Sequence, residues 1–137
     1  MRPAALDALF AESEPGTIPQ GDSNGTAIIG PGTPAAAATA AIARGFVWKG
    51  KVFDPQSGEL KNKLSPLGVK GIRAAVYTDA SWLDGKEAII LDYSKTSNVA
   101  RWIRDEIRLV GPGTYLGLVF WGHKRLIHFA LEFPNTA

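Results

Sequence analysis

The sequence predicts a mainly β protein, a small closed or nearly closed antiparallel barrel of seven or eight strands after one or two N-terminal helices. Three observations predict it. From Phe46 onward, apolar residues recur mostly at every second position. Turn signals at Asp54-Pro55, Ser57-Gly58, Asp84-Gly85, Gly111-Pro112-Gly113 and Gly122 cut that pattern into short runs. The runs between them are rich in β-branched and aromatic residues, which suit a pleated, half-buried surface. Closure is the economical arrangement because it leaves no exposed strand edge.

The elements follow in order. Ala4 to Ala11 places Leu6, Leu9 and Phe10 at helical spacing. Ser13 to Gly25 carries Pro15, Gly16, Pro19 and Gly21 and reads as an arm. Residues 1–24 therefore form a helix and a Pro/Gly-rich arm, and 25–137 a single barrel domain. Thr26 to Ile29 is a short strand. Thr33 suits an N-cap, Pro34 a first helical position, and Arg44-Gly45 a C-terminal end, which predicts a helix over 34–44. Strands are expected at 46–53, near Leu60, and over 72–79, 87–94, 115–121 and 126–133. Val99 to Val110 fits a helical stripe and an alternating strand about equally. The turns on both sides favour a meander, so a strand is expected there.

Composition excludes several classes. At 137 residues, 45% apolar and 20% charged, the chain suits one globular domain. With no cysteine there is no disulfide framework, thiolate metal site or thiol nucleophile. No apolar run approaches the roughly 18 residues of a membrane helix, and the first residues lack the apolar core of a signal peptide. The expected setting is cytoplasmic. A net charge of +2, with bases scattered among acids, does not suggest a nucleic-acid partner.

Gly30-Pro31-Gly32-Thr33-Pro34-Ala35 loosely matches a dinucleotide-binding fingerprint, with Asp54 near the end of the next strand. Lys49 and Lys51 on that strand, and the lack of later helices, argue instead for a turn that caps a helix. His123 and His128 stand five apart and point to no metal site, and no cofactor is expected. The serines lie in no nucleophile frame.

What remains is a set of polar groups on strands that otherwise read as core. Asp105 shares its predicted face with Ile103 and Ile107, so it must be paired, hydrogen-bonded or protonated. One reading is a structural ion pair with Arg73, Arg101 or Arg104. The other is a polar anchor or general acid/base in an apolar cavity. Arg104, Asp105, Arg108, Tyr93, His128 and Tyr115 are the candidate ligand-binding residues. Asp105, Tyr93 and His128 are the candidate catalytic groups.

Trp48-Lys49-Gly50-Lys51-Val52-Phe53-Asp54, Leu91-Asp92-Tyr93, Ile103-Arg104-Asp105-Glu106-Ile107-Arg108 and Gly113-Thr114-Tyr115-Leu116-Gly117 carry a resemblance. Over residues 17–133 the chain resembles a bacterial family of small proteins of uncharacterised function, similar to GXWXG-type, lipocalin/calycin-like barrels. Gly45-Phe46-Val47-Trp48-Lys49-Gly50 has one residue more before the tryptophan than G-x-W-x-G. The resemblance implies a barrel with an interior cavity and brings no activity with it.

Three functions are therefore open. The first is binding of an apolar small molecule such as a fatty acyl chain, terpenoid or polyketide. The second is an isomerase, cyclase or lyase on the same barrel, with Asp105 moving a proton. The third is a protein-interaction module with a filled barrel. A homodimer is compatible with all three.

Overall fold

The computed structural model describes residues 3–28, 47–65, 73–95, 101–122 and 124–133. The expected helix over 34–44 and His123 lie outside them. Helix α1 (Pro3–Glu12) comes first, followed by β1 (Gly21–Asp22), β2 (Asn24–Ile28), β3 (Val47–Asp54), β4 (Glu59–Ser65) and β5 (Arg73–Ala80). Strands β6 (Glu87–Asp92), β7 (Ile103–Gly111), β8 (Thr114–Trp121) and β9 (Lys124–Glu132) complete the described chain. The nine strands form one sheet in the order β1-β3-β4-β5-β6-β7-β8-β9-β2. Each paired neighbour is antiparallel. The expected class holds, with one strand more than foreseen. The extra strand is β1, inside the segment that reads as an arm.

Closure comes from that short segment. Residues 21–22 pair with β3, and residues 24–28 pair with β9. One kinked stretch thus joins the two edges of the sheet into a nearly closed barrel. Ser23 makes the join: its N–H and its hydroxyl both donate to the Lys51 carbonyl, at 3.1 and 2.6 Å, and the Lys51 N–H donates to its Oγ at 3.1 Å. Gly50 permits the crossing. Its φ is +137°, and a Cβ there would stand 2.3 Å from the Ser23 carbonyl oxygen. Neither the dihedral nor the space suits a side chain. Gly50→Ala is expected to cost about 1–3 kcal/mol in urea unfolding, because backbone, unlike a side-chain tip, cannot swing away.

Alternation sorts the barrel wall into two faces. Inside lie Phe53, Leu60, Ala74, Ile89, Leu91, Tyr93, Ile107, Tyr115, Phe129, Leu131 and Phe133. Outside, Ala88, Ile90, Leu116, Leu118 and Phe120 form a second apolar layer under Leu6 and Phe10 of α1. The helix therefore buries its apolar stripe against the outer wall of β6, β7 and β8. The stretch that periodicity left ambiguous is strand β7, paired to β6 along one edge and β8 along the other. Because α1 covers its outer side, β7 is buried on both faces, which is why its pattern also imitates a helical stripe.

Gly117 gives the inner wall a second tight approach. A Cβ there would meet the Phe129 ring at 2.2 Å. Gly117→Ala is expected to cost about 1–3 kcal/mol through overpacking, and Phe129→Leu in the same chain to recover part of it. Thermal unfolding of both variants measures the difference.

Candidate functional site

Three polar side chains meet inside the barrel. Lys51 comes from β3, Tyr93 follows β6, and Asp105 lies on β7. In the sheet order β3 and β7 stand on opposite walls, so the group bridges the lumen. Lys51 Nζ donates to the Tyr93 hydroxyl at 2.6 Å and lies 3.1 Å from Asp105 Oδ2. The Tyr93 hydroxyl donates to the same carboxylate oxygen at 3.3 Å. Lys51, Tyr93 and Asp105 are exposed by only 3, 3 and 4%. The Phe129 ring lies 5.4 Å from the ammonium. Asp105 Oδ1 is buried with no hydrogen-bond partner among the described residues.

The electrostatics follow from burial. Burial pushes the Asp105 carboxyl above its ordinary value, against the opposing pull of Lys51 and Tyr93. Burial alone would pull the Lys51 ammonium down, but Tyr93 and Asp105 outweigh it and hold the group above its usual value. Both members thus keep a proton more readily than free side chains do. The pair is an ammonium beside a carboxylate whose proton-bound form burial favours. A phenol held between the two can hand a proton on.

Asp105 faces inward as its isoleucine neighbours imply, but its cation is none of the three arginines expected from sequence. Lys51 supplies the charge. It shares its strand face with Phe53, two residues on, and that spacing was the available signal.

Arg104 and Arg108 lie one and three positions from Asp105, so alternation turns both to the outer wall. Arg108 is fully buried under α1. Its guanidinium donates to both Asp84 carboxylate oxygens and to the Phe10 carbonyl, each at 2.8 Å. It also donates to the Lys86 and Glu87 carbonyls. Arg104 donates from Nε to Glu106 Oε2 at 3.1 Å and stacks over Trp82 at 4.3 Å. Buried Glu106 accepts from the Ser81 hydroxyl and the Trp82 N–H. Together these groups fasten the 81–86 turn and the end of α1 to the barrel.

His128 is also on the outer wall. Its Nε2 lies 2.7 Å from Asp7 of α1, and Arg125 donates to the same Asp7 oxygen at 2.6 Å. Burial would raise the Asp7 carboxyl, but these two partners bring it below its usual value. Of the six candidates, then, Tyr93 and Asp105 converge, while Arg104, Arg108 and His128 sit on the other face.

Tyr115 belongs to the inner layer nearest one barrel mouth. Its hydroxyl donates to the Thr17 carbonyl at 2.6 Å, and the Leu109 N–H donates to the Glu14 and Pro15 carbonyls. Burial pushes the Tyr115 phenol up. These bonds lay the arm across the mouth of its own barrel. Clefts of about 780 and 670 Å³ open beside it. The first includes Leu109, Tyr115 and Phe133 in its lining, and the second includes Phe53 and Leu60. Both volumes fall in the range of small-molecule sites.

Among the described residues, no three His, Asp or Glu side chains gather as metal ligands. No described helix is long and apolar enough to cross a membrane. No family model and no curated protein matches the chain. A solved structure does: the crystal structure of a protein from Thermomonospora curvata is similar over 96% of this chain and 87% of that one, with a TM-score of 0.64 and 19% identity. At that identity the likeness concerns the fold, a nearly closed antiparallel barrel compatible with small-molecule binding.

Proposed function

We propose that this protein binds an apolar small molecule, of fatty acyl, terpenoid or polyketide-like character, in its barrel. In this reading a hydrogen-bond-donating group on the ligand anchors at Asp105. The observation that carries it is Asp105 Oδ1, an acceptor buried in the apolar interior beside a lysine and a phenol. A buried acceptor without a donor is costly, and a ligand hydroxyl or N–H would relieve it. Tyr93 and Lys51 offer donors to a neighbouring carbonyl, and the clefts beside Tyr115 lie at the mouth of the same barrel without reaching these groups in their lining. Arg104, Arg108 and His128 then support the wall from outside. The resemblance of residues 17–133 to lipocalin/calycin-like barrels, which implies an interior cavity, supports this reading.

A second reading is favoured by two specific distances. Tyr93 stands 2.6 Å from an ammonium and 3.3 Å from a carboxylate, so it can protonate a carbonyl oxygen while Asp105 takes a proton from carbon. That would make the barrel an isomerase, cyclase or lyase.

Native mass spectrometry of the purified protein, with titration by a fluorescent fatty acid, tests the binding reading. A co-purifying apolar compound or saturable probe binding is expected. Asp105→Asn, checked for folding by circular dichroism, should weaken affinity by about tenfold. The absence of both a co-purifying compound and saturable probe binding in the wild type would sink the proposal. Under the enzyme reading Tyr93→Phe keeps the ligand and loses turnover.

A further inference from the structure

The two ends of the barrel differ in charge, and one of them presents aromatic rings. Strands β2, β4, β6 and β8 leave the barrel, and β3, β5, β7 and β9 re-enter it, at a single end. The described residues beside those strand ends, 93–95, 101–102 and 122, carry Lys95 and Arg101 and no acid. Lys124 opens β9 at the same end. The opposite end collects Glu12, Glu14, Asp22, Asp79, Asp84, Glu87 and Glu132 in its arm, turns and strand ends. A net charge of +2 conceals this separation.

The cationic end also holds the two most exposed large apolar side chains among the described residues. Trp102 is 59% and Trp121 53% exposed. They are neighbours: the Gly122 N–H donates to the Trp102 carbonyl at 2.8 Å, and Trp121 pairs with Ile103 at the start of β7. The Arg101 guanidinium stacks over Trp102 at 4.8 Å, and Lys124 pairs with Trp121 across the β8–β9 turn. Exposed Lys95 follows the end of β6. Asp92 is the described acid at this end, and it accepts from Tyr77 and from the Ser94 N–H.

From this placement we infer that the Trp102–Trp121 end docks on the surface of an anionic phospholipid bilayer. Tryptophan rings favour the headgroup level, where the indole body is apolar and its N–H stays wet. Cations beside them gain from a negative lipid surface. A rim at the end of a barrel suits a flat surface better than a strand of nucleic acid, which needs a groove that tracks its backbone. The inference is independent of the proposed cargo, since it concerns the outside of the barrel.

Co-sedimentation with phosphatidylcholine vesicles, with and without phosphatidylglycerol, tests it, with the wavelength of tryptophan emission as a second readout. Binding only to phosphatidylglycerol-containing vesicles is expected, with a blue shift and with weakening by salt. Near such a surface each cation contributes about 1 kcal/mol, or about fivefold, so Arg101→Ser/Lys124→Ser should bind about 25-fold more weakly. Trp102→Ala/Trp121→Ala should lose the blue shift and about tenfold or more in binding. Lys86→Ser, at the opposite end, should bind as the wild type does. No vesicle binding, equal binding to both compositions, or an unaffected Arg101/Lys124 variant would overturn the inference. So would tight binding of a single-stranded oligonucleotide in place of vesicles.

Discussion

Lys51→Met is expected to cost about 3–5 kcal/mol in urea unfolding at neutral pH, because it leaves the Asp105 carboxylate buried without its cation. The double variant Lys51→Met/Asp105→Leu should recover most of that loss. Replacing both charges with apolar groups of similar size removes the desolvation cost along with the attraction. The pH dependence has a definite sign. A carboxyl whose folded pKa lies above its unfolded value contributes stability that is complete below the unfolded value and lost as pH rises through the folded one. Burial raises Asp105 in this way. Removing Lys51 raises it further, so the deficit of Lys51→Met should shrink as pH is lowered toward 4, about the unfolded value. A cost below about 1 kcal/mol for Lys51→Met would mean that the bridge is solvated, since exposed pairs contribute that little.

Arg108→Met is the second large effect, at about 3–5 kcal/mol, and it acts on the other side of the same strand. The guanidinium is fully buried and binds Asp84, the Phe10 carbonyl and the 86–87 backbone. Without it those acceptors lose their donor, and α1 loses the fastening at its C-terminal end. Loss of far-UV helical signal with the sheet signal retained is the expected signature. Arg108 also draws the Asp84 carboxyl from 3.8 down to about 2, with burial opposing. A depressed carboxyl stabilises the fold above its unfolded pKa, and that contribution disappears as pH falls through the folded one. The wild type should therefore lose this part between about pH 4 and 2, and Arg108→Met should lack that step. Retention of both helix and acid step in the variant would contradict the assignment.

The sequence went a long way on the fold. Alternation from Phe46 onward, with its turns, located the strands and turned Asp105 toward the interior, and the spacing of Leu6, Leu9 and Phe10 located α1. It also showed that Asp105 needed a partner, since a carboxylate between isoleucines does not stand alone. The partner itself was not legible. A strand's period of two assigns residues to faces, but it does not say which strand stands opposite across a lumen. Lys51 lies 54 positions from Asp105 in sequence and meets it only because β3 and β7 occupy opposite walls.

The same limit governs Arg104, Arg108 and His128. Their charge and apolar setting marked them as buried, and they are largely so. Whether that burial faced the lumen or the underside of a helix depended on α1 folding back over the outer wall. Local sequence thus located most of the strands and α1 and sorted strand residues into two faces, because these follow from backbone geometry and water's exclusion of apolar side chains. Tertiary structure alone decided which charges meet, because closing a sheet brings together residues whose pairing depends on the path of the whole chain.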